Sequence, residues 1–350
     1  MAKFIIYYAN NHNIILNIND INTGGYDLFQ FAIIKNKGKM VQLIIDYANK
    51  NNIILNINGK NKHGNYPLLF ATNNGNIEIV RLIIDYANKY NIILNMNDKN
   101  EKKWYPFLYA TNKNNIEMAR LIIDYANKNS IVLNINDKNK NKDFPLLSAI
   151  TNNNLEMVRL IIDYATENHI ILNINDKNGN KNFPLLCATR NKKIEMIQLI
   201  IDYAIKNYIV LNINDKDESG ISPFLIAVND NDKNSFRITE LITDYAIKNN
   251  IQLNIDEKNV DGWNNFLVAV DKNNIESFNQ SKSPSSSSNT DSTLYNKNFY
   301  NNDSEYNFDG GDSDIDYDSD ERDDFMNDSF SDFGEEEDET LYYMNNLING

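Results

Sequence analysis

Most catalytic and metal sites are built from histidine, cysteine and carboxylate side chains, and this sequence uses the first two sparingly. Its three histidines, His12, His63 and His169, fall at unrelated places, and its one cysteine, Cys187, has no histidine near it in sequence. A thiol becomes a nucleophile when a neighbouring base or positive charge lowers its pKa. Cys187 instead follows Leu185-Leu186 and reads as a small buried hydrophobe. The aspartates are more suggestive, because Asp46, Asp85, Asp124, Asp163 and Asp202 recur at intervals of 39 residues. Calcium needs about six to eight converging oxygens. Carboxylates one repeat apart do not converge, so the ladder reads as a solvated helix face. Phosphate-cradling glycine loops, zinc-ligand spacings and nucleophile elbows are missing from the sequence. The expectation is a protein that is not an enzyme, with no catalytic residue, no metal and no cofactor.

The elements that carry these residues are repeated. Leu-Ile-Ile-Asp-Tyr-Ala recurs with each of the five aspartates, a variant follows with Asp244 after 42 residues, and Ile5-Ile6-Tyr7-Tyr8-Ala9 holds the same register near the start. Leu-Asn-Ile-Asn or a close variant starts at Leu16, Leu55, Leu94, Leu133, Leu172, Leu211 and Leu253, and proline-led runs start at Pro67, Pro106, Pro145, Pro184 and Pro223. A fixed period of this length implies stacked units. In the unit 59–97, Pro67 opens a short helix, since the missing N–H is harmless at the first helical position. Asn73-Asn74-Gly75-Asn76 ends it with residues that tolerate left-handed geometry. A second helix then runs from Ile77 to about Lys89. Its apolar band is too wide for one buried stripe, and Glu78, Arg81 and Asp85 take the remaining face, where they can pair along the helix in solvent. Ile92 to Asn97 is extended in character. One unit buries too little apolar surface to offset the ordering of its own backbone. Neighbours must supply the rest, as in a solenoid.

Charge divides the chain of 350 residues, whose net charge is −14. Residues 281–350 hold 19 acidic against 3 basic residues, which leaves 1–280 close to neutral. Such a body gives no support for binding nucleic acid or anionic membrane. No apolar run approaches the roughly 18 residues of a membrane-spanning helix. Lys3 to Asn10 matches the repeated unit and reads as part of the fold, not as a signal peptide. A lone cysteine permits no intramolecular disulfide, which fits an intracellular, cytoplasmic setting without excluding the nucleus. Ser281 to Ser288 reads as a flexible linker. The residues beyond it combine Asp, Glu, Ser and Asn with scattered aromatics, a composition expected to form a disordered acidic tail. Within that tail Ser313 and Ser329 are candidate phosphorylation sites, and 341–350 is a candidate amphipathic cap or partner-binding segment. The expected organisation is a repeat array over 1–280, six full units between partial ones, and a tail over 281–350.

The order of a hairpin with Gly64, a helix start at Tyr66-Pro67-Leu68-Leu69, a turn at Gly75 and a second helix opening Ile77-Glu78-Ile79-Val80 resembles the ankyrin repeat. The resemblance covers about 1–280 and recurs in register. It implies an all-α, ankyrin-type helical solenoid of helix-turn-helix units joined by extended and hairpin loops. Three features depart from the family pattern. The threonine before proline is replaced by Tyr66, Tyr105, Phe144 and Phe183, and the histidine by leucine, so packing is expected to replace the usual Thr–His hydrogen bond. The unit is longer than the family's. Lys103, Lys142 and Lys181 hold the place of the hairpin glycine kept as Gly25, Gly64, Gly220 and Gly262.

In such proteins partners dock on the concave side, along hairpin tips and first helices. The matching positions that also vary between units are Lys62, His63 and Asn65; Glu101, Lys102 and Trp104; Lys140 and Asp143; Asn182; Ile221; and Trp263. Trp104 and Trp263 stand out as candidate interface anchors, although Trp104 could instead cover its neighbour Tyr105. The resemblance therefore implies a monomeric, non-catalytic scaffold or adaptor binding a protein partner through its concave face. The alternative is a regulatory or substrate-recruiting subunit of a separate enzyme complex.

Overall fold

A computed structural model describes residues 2–229, 232–256 and 258–271. They lie within a compact unit, Met1–Pro284. The linker, the acidic tail, Ser313, Ser329 and the 341–350 segment fall outside the described residues.

Among the described residues the regular elements are all helices, alternating short and long. Helix α1 (Ala2–Asn11) is followed by the pairs α2 (Leu28–Ile34) and α3 (Gly38–Lys50), α4 (Pro67–Asn73) and α5 (Ile77–Lys89), α6 (Pro106–Asn112) and α7 (Ile116–Lys128), and α8 (Pro145–Thr151) and α9 (Leu155–Glu167). Then come α10 (Pro184–Arg190) and α11 (Ile194–Lys206), α12 (Pro223–Asn229) and α13 (Lys233–Lys248), and α14 (Asn265–Asp271). The 42-residue spacing has a simple cause: α13 has 16 residues where α11 has 13.

Local chemistry sets the helix boundaries. Tyr66 is extended, with φ −141° and ψ 167°, because the ring of Pro67 disfavours helical backbone in the residue before it; Tyr105, Phe144 and Phe183 repeat the geometry. The short helices α2, α4, α6, α8 and α10 end in a left-handed residue, Asn36, Gly75, Asn114, Asn153 and Lys192 in turn. Asparagine there does the work of glycine, because its short side chain tolerates the conformation. Asn76, Asn115 and Asn154 then cap the long helices, accepting from the backbone N–H of Ile79, Met118 and Met157.

Short helices pack on the short helices of neighbouring units, and long on long. The result is one apolar core running from Ile18 to Ala246, so each unit's buried wall is shared with the next. Polar ladders follow the same axis. Arg81, expected to pair along its own helix, instead meets Glu117 of the next unit at 3.0 Å, and Arg120 meets Glu156 at 2.9 Å. The stacked neighbouring helix thus takes the arginine away from Asp85, which is exposed. Lys99, Lys138 and Lys177 each pair with the aspartate 38 residues on, and each lies over the ring of Tyr105, Phe144 or Phe183.

The loops are held by side chains in place of strand pairing. In five of the Leu-Asn-Ile-Asn runs the second asparagine spans two backbone groups of the following loop. Asn97, for example, donates to the Val132 carbonyl at 2.8 Å and accepts from the Asn134 N–H at 3.0 Å. Asn58, Asn136, Asn175 and Asn214 do the same. The tyrosine of Leu-Ile-Ile-Asp-Tyr-Ala reaches the loop of the unit before it, its hydroxyl accepting from the N–H of Leu16, Leu55, Leu94, Leu133, Leu172 or Leu211.

Where the aromatic residue before proline is tyrosine, it does more than pack. The Tyr66 hydroxyl lies 2.8 Å from the Asn95 carbonyl and 2.9 Å from that of Asp98, and Tyr105 reaches the Asp137 carbonyl at 2.9 Å. A hydrogen bond lost with the Thr–His pair is therefore remade at longer range. Burial, assisted by the charges of Asp98 and Asp137, pushes both hydroxyls well above the ordinary tyrosine pKa.

Candidate functional site

The hairpins between units form a row of fingers, each closed by one side chain. The Oδ1 of Asn61 accepts the N–H groups of His63 and Asn65, an Asx turn that substitutes for backbone pairing. Asn22, Asn178, Asp217 and Asn259 close their fingers in the same way. The finger tip then needs a left-handed residue. Gly25, Gly64, Gly220 and Gly262 supply it at φ of 75° to 86°, and Lys103, Lys142 and Lys181 supply it at 61°, 63° and 57°. The middle fingers thus keep the hairpin despite losing glycine.

Successive tips are joined through backbone. Glu101 N–H donates to the His63 carbonyl at 3.0 Å, Lys140 to Lys102 at 3.1 Å, Gly179 to Asn141 at 2.7 Å and Val260 to Ser219 at 3.2 Å. A residue at one tip is therefore held in register with its counterpart on the next.

The positions read from the sequence separate into two groups. Lys62, His63, Glu101, Lys102 and Lys140 are exposed at the tips, with His63 Nδ1 3.0 Å from Glu101 Oε2. The others are engaged in the fold. Asn65 accepts from Asn100 Nδ2 at 2.8 Å. Asp143 is only 6% exposed and accepts from Asn139 and Asn178, so it ties two fingers together. Asn182 accepts from Arg190 at 2.6 Å. Trp104 is half-buried and stacked on Tyr109, centroids 4.6 Å apart, and not on Tyr105. Ile221 and Trp263 pack against the small cluster of Leu225, Val228 and Val268.

Two surface features were missed by the sequence reading. Lys103, Lys142 and Lys181 are exposed, a consequence of standing where a finger tip has no inward face. On the loops between units, Ile15, Ile54, Ile93, Val132, Ile171 and Val210 form an exposed aliphatic row. Their signal was the alternation in Ile92-Ile93-Leu94, where Leu94 is buried and Ile93 points out.

The remaining chemistry is quiet. Asp46, Asp85, Asp124, Asp163 and Asp202 are exposed, and Gln42 and Gln198 donate to Asp46 and Asp202 at 2.8 Å. Burial pushes the Cys187 thiol up from its ordinary pKa. Among the described residues no three of His, Cys, Asp and Glu converge on a metal position, and no helix is long and apolar enough to cross a membrane.

Comparison with known proteins agrees with this architecture. A three-copy ankyrin repeats model matches residues 90–170 and 130–210, and a single ankyrin repeat model matches 63–97. Residues 63–210 thus carry repeats of the ankyrin repeat family. Members of that family are in general protein-interaction modules, typically non-catalytic, which implies protein partners here. Solved structures similar to this chain include three ankyrin repeat domains. That of Bcl-3, a member of the IkappaB protein family, is 15% identical with a TM-score of 0.47, covering 70% of this chain and 94% of that one. One from Acinetobacter baumannii AYE is 20% identical with a TM-score of 0.45, covering 62% and 97%. That of human ASB11 is 12% identical with a TM-score of 0.49, covering 75% and 100%. Comparison with curated protein sequences gives no match.

Proposed function

We propose that the chain is an intracellular, cytoplasmic scaffold or adaptor. In this reading it acts as a monomer and binds a partner protein along the concave side formed by the fingers and short helices, with 1–280 as the array and 281–350 as an appended acidic tail. The observation that carries this reading is the contrast in what the uniform units vary. Buried positions repeat almost unchanged, while exposed tip residues run Lys62, Glu101, Lys140 and then Gly179 and Glu218 at one register position. A surface free of packing demands is where a specific partner is read.

The test is affinity capture from lysate with the full chain against two variants. One changes the tips (Lys62→Ala, Glu101→Ala, Lys140→Ala) and the other changes the loop row (Ile93→Asn, Val132→Asn). The finger variant is expected to lose the captured protein and the loop variant to keep it. The reverse outcome would move the binding surface to the aliphatic row.

A further inference from the structure

The three middle fingers differ from the outer ones in a way that conformation does not explain. Left-handed backbone is costly for any residue with a Cβ, and outside the fingers this chain meets that need mostly with asparagine, as at Asn36, Asn91, Asn114 and Asn153, and with lysine once, at Lys192. Asparagine suits the geometry because its side chain can bond its own backbone; lysine has no such advantage. Yet Lys103, Lys142 and Lys181 occupy all three positions. Strained backbone that persists at a surface points to a use for the side chain, and what lysine adds is charge.

The tip contacts hold these charges on one row. Lys140 N–H is bonded to the Lys102 carbonyl and Gly179 N–H to the Asn141 carbonyl, and Lys103, Lys140, Lys142 and Lys181 are all exposed. The acids nearby do not neutralise it. Asp143 is buried between fingers, and Glu101 faces His63 on the preceding tip. Beyond Lys181 the tips turn acidic at Glu218 and Asp261.

We propose that this row is the docking site for an acidic, extended segment of a partner protein, its carboxylates met by Lys103, Lys140, Lys142 and Lys181. The proposal rests on the finger-binding reading above and names the partner's chemistry. A peptide fits better than nucleic acid. Residues 101–103, 140–142 and 179–181 contain no arginine and no aromatic, the adjacent Trp104 is already stacked on Tyr109 and so is not free for base stacking, and the acidic tips beyond would repel a phosphate backbone following the row.

The experiment titrates the purified full chain with fluorescein-labelled oligoglutamate, oligoglutamine and oligothymidylate. The key variant is Lys103→Gly, Lys142→Gly, Lys181→Gly, since glycine suits the left-handed tips and removes the charge together with its side chain. A matching set of Lys→Gln changes keeps the backbone preference and guards against a folding artefact. Oligoglutamate should bind, weaken with added salt, and lose about tenfold or more in affinity in both variants, with Tm unchanged or raised in the glycine variant; oligoglutamine should not bind. Absence of oligoglutamate binding, or equal binding by the variants, overturns the proposal. Tighter oligothymidylate binding lost in the same variants overturns it in favour of nucleic acid. If finger-dependent protein capture persists while oligoglutamate fails, only the acidic partner is wrong; if capture also fails, the finger reading falls with it.

Discussion

The N–H of Leu94 donates to the hydroxyl of Tyr125 at 3.1 Å, across 31 residues and from one unit to the next. Leu94 is buried, so this N–H has no access to water. Removing the acceptor leaves a buried donor unsatisfied, which costs about 1–3 kcal/mol. Tyr125→Phe should lower the unfolding free energy by that much, measured by urea denaturation followed by circular dichroism. A change within error would mean the loop finds another partner.

Alkaline pH should unfold the array. Tyr66 and Tyr105 have folded-state pKa values raised well above 10, chiefly by burial, while in the unfolded chain they titrate near 10. Their contribution is complete below about pH 10 and is lost as pH rises towards the folded values, because the unfolded chain then releases protons the folded one retains. A plot of stability against pH should fall above about pH 10, and Tyr66→Phe with Tyr105→Phe should flatten that fall.

Finger tips should answer to backbone geometry. At Gly64, φ is +75° and an added Cβ would stand 3.2 Å from Asn100 Cα. Gly64→Ala should therefore destabilise by about 1–2 kcal/mol. Lys103→Gly should be neutral or stabilising in the same denaturation assay, although it alters the equivalent position of the next tip.

The charged ladders should contribute little. Arg120 and Glu156 are both more than half exposed, and exposed pairs are worth about 0–1 kcal/mol. Arg120→Gln should lower stability by less than Tyr125→Phe does. A larger loss would assign the stacking energy to electrostatics, and added salt would then lower Tm steeply.

Cys187 should be chemically silent. Its side chain is buried and its thiol pKa is raised, and the thiolate is the reactive form. Maleimide should label it only at the rate of unfolding, and rapid labelling of the folded chain would expose it as a reactive site.

Helices were legible because Pro67 and its counterparts mark their starts and the 39-residue period repeats every apolar position. The direction of the polar contacts was not. Sequence spacing placed Arg81 beside Glu78 and Asp85, but its nearer acid is Glu117, since stacked long helices present side chains to each other across a unit. The tyrosine of Leu-Ile-Ile-Asp-Tyr-Ala read as apolar packing, and nothing local shows that its hydroxyl serves a loop 31 residues earlier. At the fingers, variability identified exposed tips such as Lys140 but could not separate them from Asp143, whose carboxylate is buried in finger-to-finger hydrogen bonds. Lys103, Lys142 and Lys181 read as lost glycines until the left-handed geometry showed each as a lysine held at a tip.

Site-specific photocrosslinking tests the finger reading most directly. A benzophenone amino acid replaces Lys140 in one full-length chain and Asp124, on the exposed face of α7, in another. After irradiation in cells, partner binding at the fingers should give a discrete protein adduct from position 140 and none from 124. An adduct from 124 alone would contradict it, placing the partner on the long helices instead of the fingers.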